Sequence, residues 1–376
     1  MKGLFLVYSK IDYKNPTGIE KKIISQIKVF NKSGIECEPY VLGNRNLSIL
    51  QRVLFILPYT RGRICWKYES IFKDIDFIYF RRGATFCQEM RNFFKEIKQR
   101  NPNIKIILEI PSYPYDKEIN SIGTKALLFK EKFNRKHLKG LIDCIAVASH
   151  INYDRIWGVR ALSFINGIDI GAIKPRNINI KSSCLNLLCI GIFSPWHGYE
   201  RIIYGLKEYY CSDQQHEVIL HFVGDGPEKF RYEDLARKFN LTDYVVFHGK
   251  LNHRALDEIY NYCDVAIASL GMYKLDINVQ NSLKTREYLA KGMPIVTGCP
   301  IDYTLLHNLK YIYEVSNDDS PINISGIVDF FINIKSQKSI YEISDEIREY
   351  AKKYADIELS FKPVIEYLKE SDEYIH

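Results

Sequence analysis

Short apolar runs alternate with longer stretches of helical apolar spacing along the whole chain. That alternation is the pattern of an α/β protein with parallel sheets. The first half predicts strands over Gly3–Tyr8, Cys37–Leu42, Phe77–Phe80, Ile104–Glu109, Cys144–Ser149 and Ala161–Ile165, with helices between them, among them Ile19–Phe30 and Glu89–Arg100. Turn chemistry at Asn166–Asp169 interrupts the pattern. The polar stretch from Ile170 to Ser183, with Pro175 inside it, reads as a linker. A second series follows. Its strands are expected at Leu185–Gly191, Val218–Val223, Val245–Phe247, Asp264–Ser269 and Pro294–Thr297, and its helices at Tyr199–Tyr210, Tyr232–Phe239, His253–Tyr262 and Ser282–Lys291. The architecture repeats although the sequence does not. The expected fold class is therefore α/β, with two doubly wound, Rossmann-like units in tandem. The expected domains are residues 1–172, a linker at 173–183, residues 184–355, and a C-terminal piece at 356–376 carrying a helix over Leu359–Leu368.

Length agrees with this division, because a single hydrophobic core stops growing well below 376 residues. Nine cysteines, an odd number with no C-x-x-C, sit largely in apolar runs. They read as buried reduced thiols rather than a disulfide framework or zinc site, which favours the cytoplasm. The apolar run at the N-terminus is too short for a secretory signal, and no window has the apolar length of a spanning helix. The net charge of +7 is unevenly spread. Residues 1–170 hold 29 Lys and Arg against 16 Asp and Glu, a net +13, and the remainder carries −6. Such a basic half suits an anionic membrane surface, a phosphorylated acceptor or nucleic acid, and equally a surface of solvated lysines. No nucleic-acid-binding motif accompanies it, so no nucleic-acid partner is expected.

Loops after strands are where ligands bind in open α/β sheets, and five are candidates. After the first strand, Gly18 opens a helix whose N-terminal amides suit a phosphate, although taken alone it reads first as a helix-start glycine. The segment is neither a Walker loop nor G-x-G-x-x-G. The second loop, L-C-I-G-I-F-S-P-W-H-G-Y-E-R from Leu188 to Arg201, carries His197 between a strand and a helix. That placement gives a diphosphate or proton-transfer role equal weight with a surface one. The third, F-V-G-D-G-P from Phe222, offers Gly224 and Asp225, with Asp225 expected to cap the next helix. The fourth, F-H-G-K-L from Phe247, offers Lys250 and backbone groups for a base edge, or a plain turn. The fifth is S-L-K-T-R-E-Y-L-A-K-G-M-P, Ser282 to Pro294. Ser282 is placed to cap a helix whose free first-turn amides would hold a diphosphate, with Lys284 and Arg286 adding positive charge.

In order and spacing these segments resemble the family 4 glycosyltransferases of bacterial surface-polysaccharide assembly. The resemblance runs through Gly18, E-I-P-S-Y-P-Y-D-K-E (Glu109–Glu118), N-G-I-D (Asn166–Asp169), W-H-G-Y-E-R (Trp196–Arg201), V-G-D-G-P and the Ser282–Pro294 segment. It implies a GT-B fold, two facing Rossmann-like domains with a C-terminal helix crossing back to the first. It implies a nucleotide sugar, a UDP-sugar, held by the second domain and a saccharide or lipid-linked glycan acceptor held by the first. It further implies retention of configuration and no metal or other cofactor. Glu287 matches the second glutamate of the family's E-x7-E element, which binds ribose hydroxyls.

The chain also departs from the family. The first E-x7-E glutamate falls at Val279, which has no group for a sugar hydroxyl, leaving Asn278, Gln280 or Asn281 as substitutes. Ile192 stands where arginine is common and His197 where lysine is common, with Lys284 the candidate for the missing charge. The expected chemistry is stabilisation of the departing diphosphate by amides, His197 and Lys284. Glu109 is the candidate for orienting the acceptor, a structural carboxylate being its alternative. The run Ile49 to Tyr68 interleaves apolar and basic residues, which fits docking at the inner membrane face or, equally, a buried helix and loop. A GT-B nucleotide-sugar epimerase and a sugar-nucleotide-binding subunit without catalysis remain alternative readings.

Overall fold

The computed structural model describes residues 1–370 apart from 15, 56, 58, 117–121, 180–183, 213–215 and 306, and of residues 52, 53 and 122–124 it describes the backbone alone. Residues 180–183 of the expected linker, the end of the 109–118 motif and 371–376 of the C-terminal piece lie outside the described residues. The chain divides into two compact units, Met1–Asn166 with Ile357–His376, and Gly167–Asp356.

The first unit runs β1 (Lys2–Val7), α1 (Gly18–Lys32), β2 (Glu36–Val41), β3 (Gly43–Asn44), α2 (Ile49–Leu54), β4 (Ile64–Cys65), β5 (Phe77–Arg81), α3 (Gln88–Arg100), β6 (Lys105–Ile110), α4 (Ile122–Arg135), β7 (Cys144–Ala148), β8 (Arg155–Ile156) and β9 (Val159–Phe164). Its seven-stranded sheet has the order β2-β1-β5-β6-β7-β9-β8. All pairings are parallel except β8, which lies antiparallel on β9. All of β7 and nearly all of β5 is buried, so both read as unbroken apolar runs. The β8–β9 hairpin escapes a sequence reading. Its turn holds Trp157 at φ 50° beside Gly158 at φ 81°. A bulky residue in the left-handed region replaces the Asn-Gly signal that marks such turns.

The second unit runs β10 (Leu185–Ile192), α5 (Glu200–Tyr210), β11 (Val218–Asp225), α6 (Lys229–Lys238), β12 (Val245–Gly249), α7 (His253–Tyr262), β13 (Val265–Ile267), α8 (Leu283–Ala290), β14 (Ile295–Thr297), β15 (Ile312–Glu314), α9 (Ile324–Gln337) and α10 (Ile340–Tyr354). Its sheet is wholly parallel in the order β12-β11-β10-β13-β14-β15. The winding reverses between β10 and β13, so the loops after these two strands flank the switch point where such sheets bind ligands. The sequence reading stops short of β15, α9 and α10. The last has a clear signal, a Ser339–Glu342 capping box followed by buried Ile340, Ile343 and Ile347.

The C-terminal segment packs in the first unit as the resemblance implies, but as two helices rather than one, α11 (Ile357–Ser360) and α12 (Lys362–Lys369). Phe361 separates them. Its ring packs against Phe30 at 5.1 Å, Tyr79 at 5.6 Å and Phe164 at 5.9 Å. Pro363 stands in the first turn of α12, where its missing N–H is harmless.

Candidate active site

The switch point of the second unit is assembled from three strand ends. At the first, β10 and β11 run in register until Gly191 faces Gly224. Gly224 has φ 132°, and a Cβ there would fall 2.0 Å from the Gly191 carbonyl oxygen. The two strand ends approach this closely only because Gly224 has no side chain. Asp225 follows. It does not cap α6, whose N-cap is Glu228. Its Oδ1 instead accepts the Gly226 N–H at 2.9 Å, and Lys250 at the end of β12 lies 3.5 Å from its other oxygen. The Gly226 amide is the main cause holding this carboxyl below the usual range.

After β10 the chain makes a short 3-10 turn, Pro195–His197, and reverses at Gly198 with φ 63°. A Cβ at Gly198 would sit 2.5 Å from the Gly271 nitrogen, so the loops after β10 and β13 are in backbone contact. The Leu270 N–H donates to the His197 carbonyl at 2.8 Å and laces them together. The Ser194 N–H donates to His197 Nδ1 at 3.0 Å. That bond makes Nδ1 the acceptor and places the ring proton on Nε2. Burial, then the neighbouring Lys284 charge, pushes the His197 pKa far down. His197 is therefore a neutral hydrogen-bond donor at physiological pH.

Tyr199 links His197 to the third element. Its ring stacks on His197 with centroids 5.3 Å apart, and its hydroxyl accepts from Lys284 Nζ at 2.8 Å. Lys284 lies in the first turn of α8, where desolvation lowers its pKa to about 7. Sequence reading missed Tyr199, because a tyrosine at the start of an amphipathic helix reads as core. It is indeed fully buried, and acts from the core. Lys274 and Glu200 were missed as well. Lys274 Nζ donates to the Pro195 carbonyl at 3.0 Å and to the buried Glu200 carboxylate, bracing the 195–197 turn.

Ser282 holds the N-cap position of α8, with φ −68° and ψ 142°, but its hydroxyl makes no capping bond. Expected capping by this side chain is thus corrected. The Oγ lies 3.5 Å from Gln280 Oε1 instead. The amides of the first turn, Leu283 among them, have no acceptor inside the helix, and no acidic side chain lies there. At α1 the situation is reversed. Gly18 is its first residue, preceded by a Thr17–Glu20 capping box. The Glu20 carboxylate accepts from Thr17 N at 2.8 Å and Asp12 N at 3.2 Å, placing negative charge where a phosphate would bind. Nothing lies within 4 Å of a Cβ built at Gly18, so packing within the described residues does not demand a glycine.

Glu287 is half-buried one turn after Lys284, and the Tyr260 hydroxyl hydrogen bonds to it. Arg286 points elsewhere. It is fully buried against Asp302, also donates to the Ser282 carbonyl at 3.2 Å, and lies 4.6 Å from the Tyr303 ring centre. Its charge is spent inside the unit and does not add to the diphosphate end. Gln280 is similarly committed. It is buried, its amide donates to Thr297 Oγ1, and its backbone N–H bonds Pro300 O at 2.9 Å. Asn278 is exposed, while Val279 and Asn281 are half-buried.

Glu109 lies in the first unit at the end of β6. It is 1% exposed, with Arg81 3.1 Å from Oε1, and Oε2 accepts from Gln26 at 2.6 Å and Tyr79 at 2.6 Å. Such a carboxylate ties β5, β6 and α1 together, the structural alternative open to it from the sequence.

Residues 173–298 match the sequence profile of the family Glycosyl transferases group 1. A curated relative, the uncharacterized glycosyltransferase YqgM of Bacillus subtilis, is 28% identical over 111 residues, and the match spans 29% of this chain and 29% of the relative. Among solved structures, sucrose-phosphate synthase from Thermosynechococcus elongatus is similar with a TM-score of 0.65 at 14% identity, covering 98% of both chains. HepE of Anabaena in complex with UDP gives 0.61 at 14% identity, covering 98% of this chain and 99% of that one. A chain described as trehalose-6-phosphate from E. coli, bound with UDP-2-fluoro glucose, gives 0.64 at 12% identity, covering 99% of each. The fold is that of GT-B glycosyltransferases, with two parallel-sheet Rossmann-like domains, and it is the 173–298 segment of the second unit that matches the group 1 glycosyl transferase profile.

Proposed function

We propose that the chain is a retaining glycosyltransferase. It would move a sugar from a UDP-sugar to a saccharide or lipid-linked glycan acceptor in bacterial surface-polysaccharide assembly, on the cytoplasmic side of the inner membrane. One observation carries the reading: Lys284 and His197 meet through Tyr199 beside the uncapped first turn of α8, at the switch point of the unit with the group 1 match. Two cation-capable side chains with lowered pKa values, next to helix amides, form a site that an anion completes. UDP is supported as the nucleotide by HepE, whose structures include complexes with UDP and with UDP-glucose.

In this reading the α8 amides and the Lys284 ammonium take the charge that develops on the departing diphosphate. His197 Nε2–H donates to the same oxygens without carrying charge itself. Glu287, fixed by the Tyr260 hydroxyl, binds the ribose hydroxyls. The acceptor attacks from the side the diphosphate leaves, and the departing phosphate oxygen takes the acceptor proton. These groups supply the positive charge, so the reaction is expected to need no metal. Val279 favours one second reading, a nucleotide-sugar-binding protein without turnover.

A donor panel assayed for hydrolysis, with and without EDTA, tests the proposal. Slow EDTA-insensitive release of UDP from one nucleotide sugar is the expected result. Tight binding with no release in any condition would replace the transferase with the binding protein, and conversion of the donor sugar would replace it with an epimerase.

A further inference from the structure

We propose that the first unit docks on an anionic membrane surface through α2, the turn after it and the outer face of α4. The Ile49–Tyr68 run alone carries only half of this surface. The other half comes from a helix more than sixty residues further along the chain.

A Ser48–Gln51 capping box starts α2. Ile49 and Leu50 in its first turn point to solvent, and Ile49 is 82% exposed, the highest value for a large apolar side chain among the described residues. Leu54, Leu57 and Tyr59 continue the exposed row. Lys130 and Phe133 bind this segment to α4. Lys130, itself buried, donates to the Phe55 carbonyl at 2.8 Å and the Thr60 carbonyl at 3.0 Å. The Tyr59 ring meets Phe133 edge-on at 5.3 Å. One helical turn before Phe133, Phe129 stands exposed. Six large apolar side chains are thus exposed on α2, the turn after it and the helix which that turn packs on, whereas isolated exposed apolar residues need no explanation.

Charge selects the occupant. Residues 49–63 contain three arginines and no carboxylate. Residues 122–139 contain six lysines and arginines and one carboxylate, Glu131. That carboxylate is buried on Arg82 and Tyr115. Asp116 pairs with Lys132 and Arg135, while Arg61, Arg63, Lys125 and Lys136 remain exposed cations. Beside these apolar side chains, Phe129, Phe133 and Trp157 line a depression together with Lys132, Arg135 and Lys136, whose three positive charges exceed the single negative charge of Asp116, which suits a lipid phosphate. A second copy of the chain would bring like charges face to face. An anionic bilayer accepts both the apolar row and its cations.

The test is co-sedimentation of the full chain with phosphatidylcholine vesicles, with and without about 30 mol% phosphatidylglycerol. Binding should require the anionic lipid and weaken sharply as salt shortens the screening length. Leu50→Glu combined with Phe129→Glu should lower the partition coefficient at least about tenfold, since each removes an exposed apolar anchor and adds a repelled charge. Both positions are exposed, so circular dichroism and UDP binding should be unchanged. No binding to anionic vesicles at low salt, or equal binding by the double variant, would overturn the proposal. So would a concentration-dependent dimer that the same variant abolishes, since the face would then belong to a second copy. None of these outcomes depends on the donor-site reading.

Discussion

Replacing Lys284 with methionine keeps the length of the side chain and removes its charge. The ammonium is held against the Tyr199 hydroxyl at 2.8 Å, in surroundings that lower its pKa to about 7. In the free protein it is about half protonated at neutral pH. A bound diphosphate favours the charged form and raises the pKa, so donor binding takes up protons. Uptake should be about half a proton at pH 7 and approach one near pH 8 to 9, and UDP affinity should fall as pH rises above 7. A charge-assisted hydrogen bond to phosphate is worth about 1.5–3 kcal/mol, so Lys284→Met should weaken UDP binding by roughly 30-fold, about 2 kcal/mol. At a UDP concentration of about 100 wild-type Kd, ligand stabilisation should then drop from about 2.7 to about 0.9 kcal/mol.

Calorimetric titration of UDP in buffers of different ionisation enthalpy measures affinity and proton uptake together. Thermal melting supplies a control. A lysine whose pKa is lowered in the folded state leaves the unfolded chain binding more protons between pH 7 and the ordinary lysine range, so its contribution to stability rises with pH across that window. Removing it relieves a buried charge, and the free variant should melt no lower than wild type at pH 7. The expected signature is an intact apo protein that has lost both UDP stabilisation and proton uptake. A variant with wild-type UDP affinity and unchanged uptake would refute the placement of the diphosphate at α8.

Three further substitutions separate roles. His197→Ala should lower donor hydrolysis more than UDP affinity, because a neutral donor helps most when charge develops; steady-state kinetics resolves the two, and a purely binding defect would contradict the assignment. Glu287→Ala should weaken UDP binding by about tenfold or more while leaving proton uptake intact, since the ribose contact does not titrate with Lys284. Arg286→Met should lower folding stability by about 3–5 kcal/mol in a denaturant titration, because it strands Asp302 as an unpaired buried charge; an unaffected midpoint would mean that Arg286 is not spent on that pair.

The sequence makes the two parallel sheets legible because β5, β7 and β13 are buried nearly throughout and need apolar runs. It also locates the loops, since strand ends at a winding reversal are fixed by topology more than by individual residues. What it does not reveal is which side chains in those loops are available. Lys284 and Arg286 sit two residues apart on α8 and look alike as cations, yet helical spacing turns one to Tyr199 and the other to Asp302. Gln280 and Asn281 are neighbours in a polar stretch, yet Gln280 is consumed by Thr297 and the 300–302 backbone. Tyr199 has the opposite fate, a core ring whose hydroxyl positions the site. In each case the deciding partner lies on a different strand end, so availability is a tertiary property that spacing along one segment does not encode. For the segment from Ser282 to Pro294 the sequence names the helix that presents the amides, and only the packing of α8 against β10 and the 300–302 loop separates the cation that serves a ligand from the one that serves the fold.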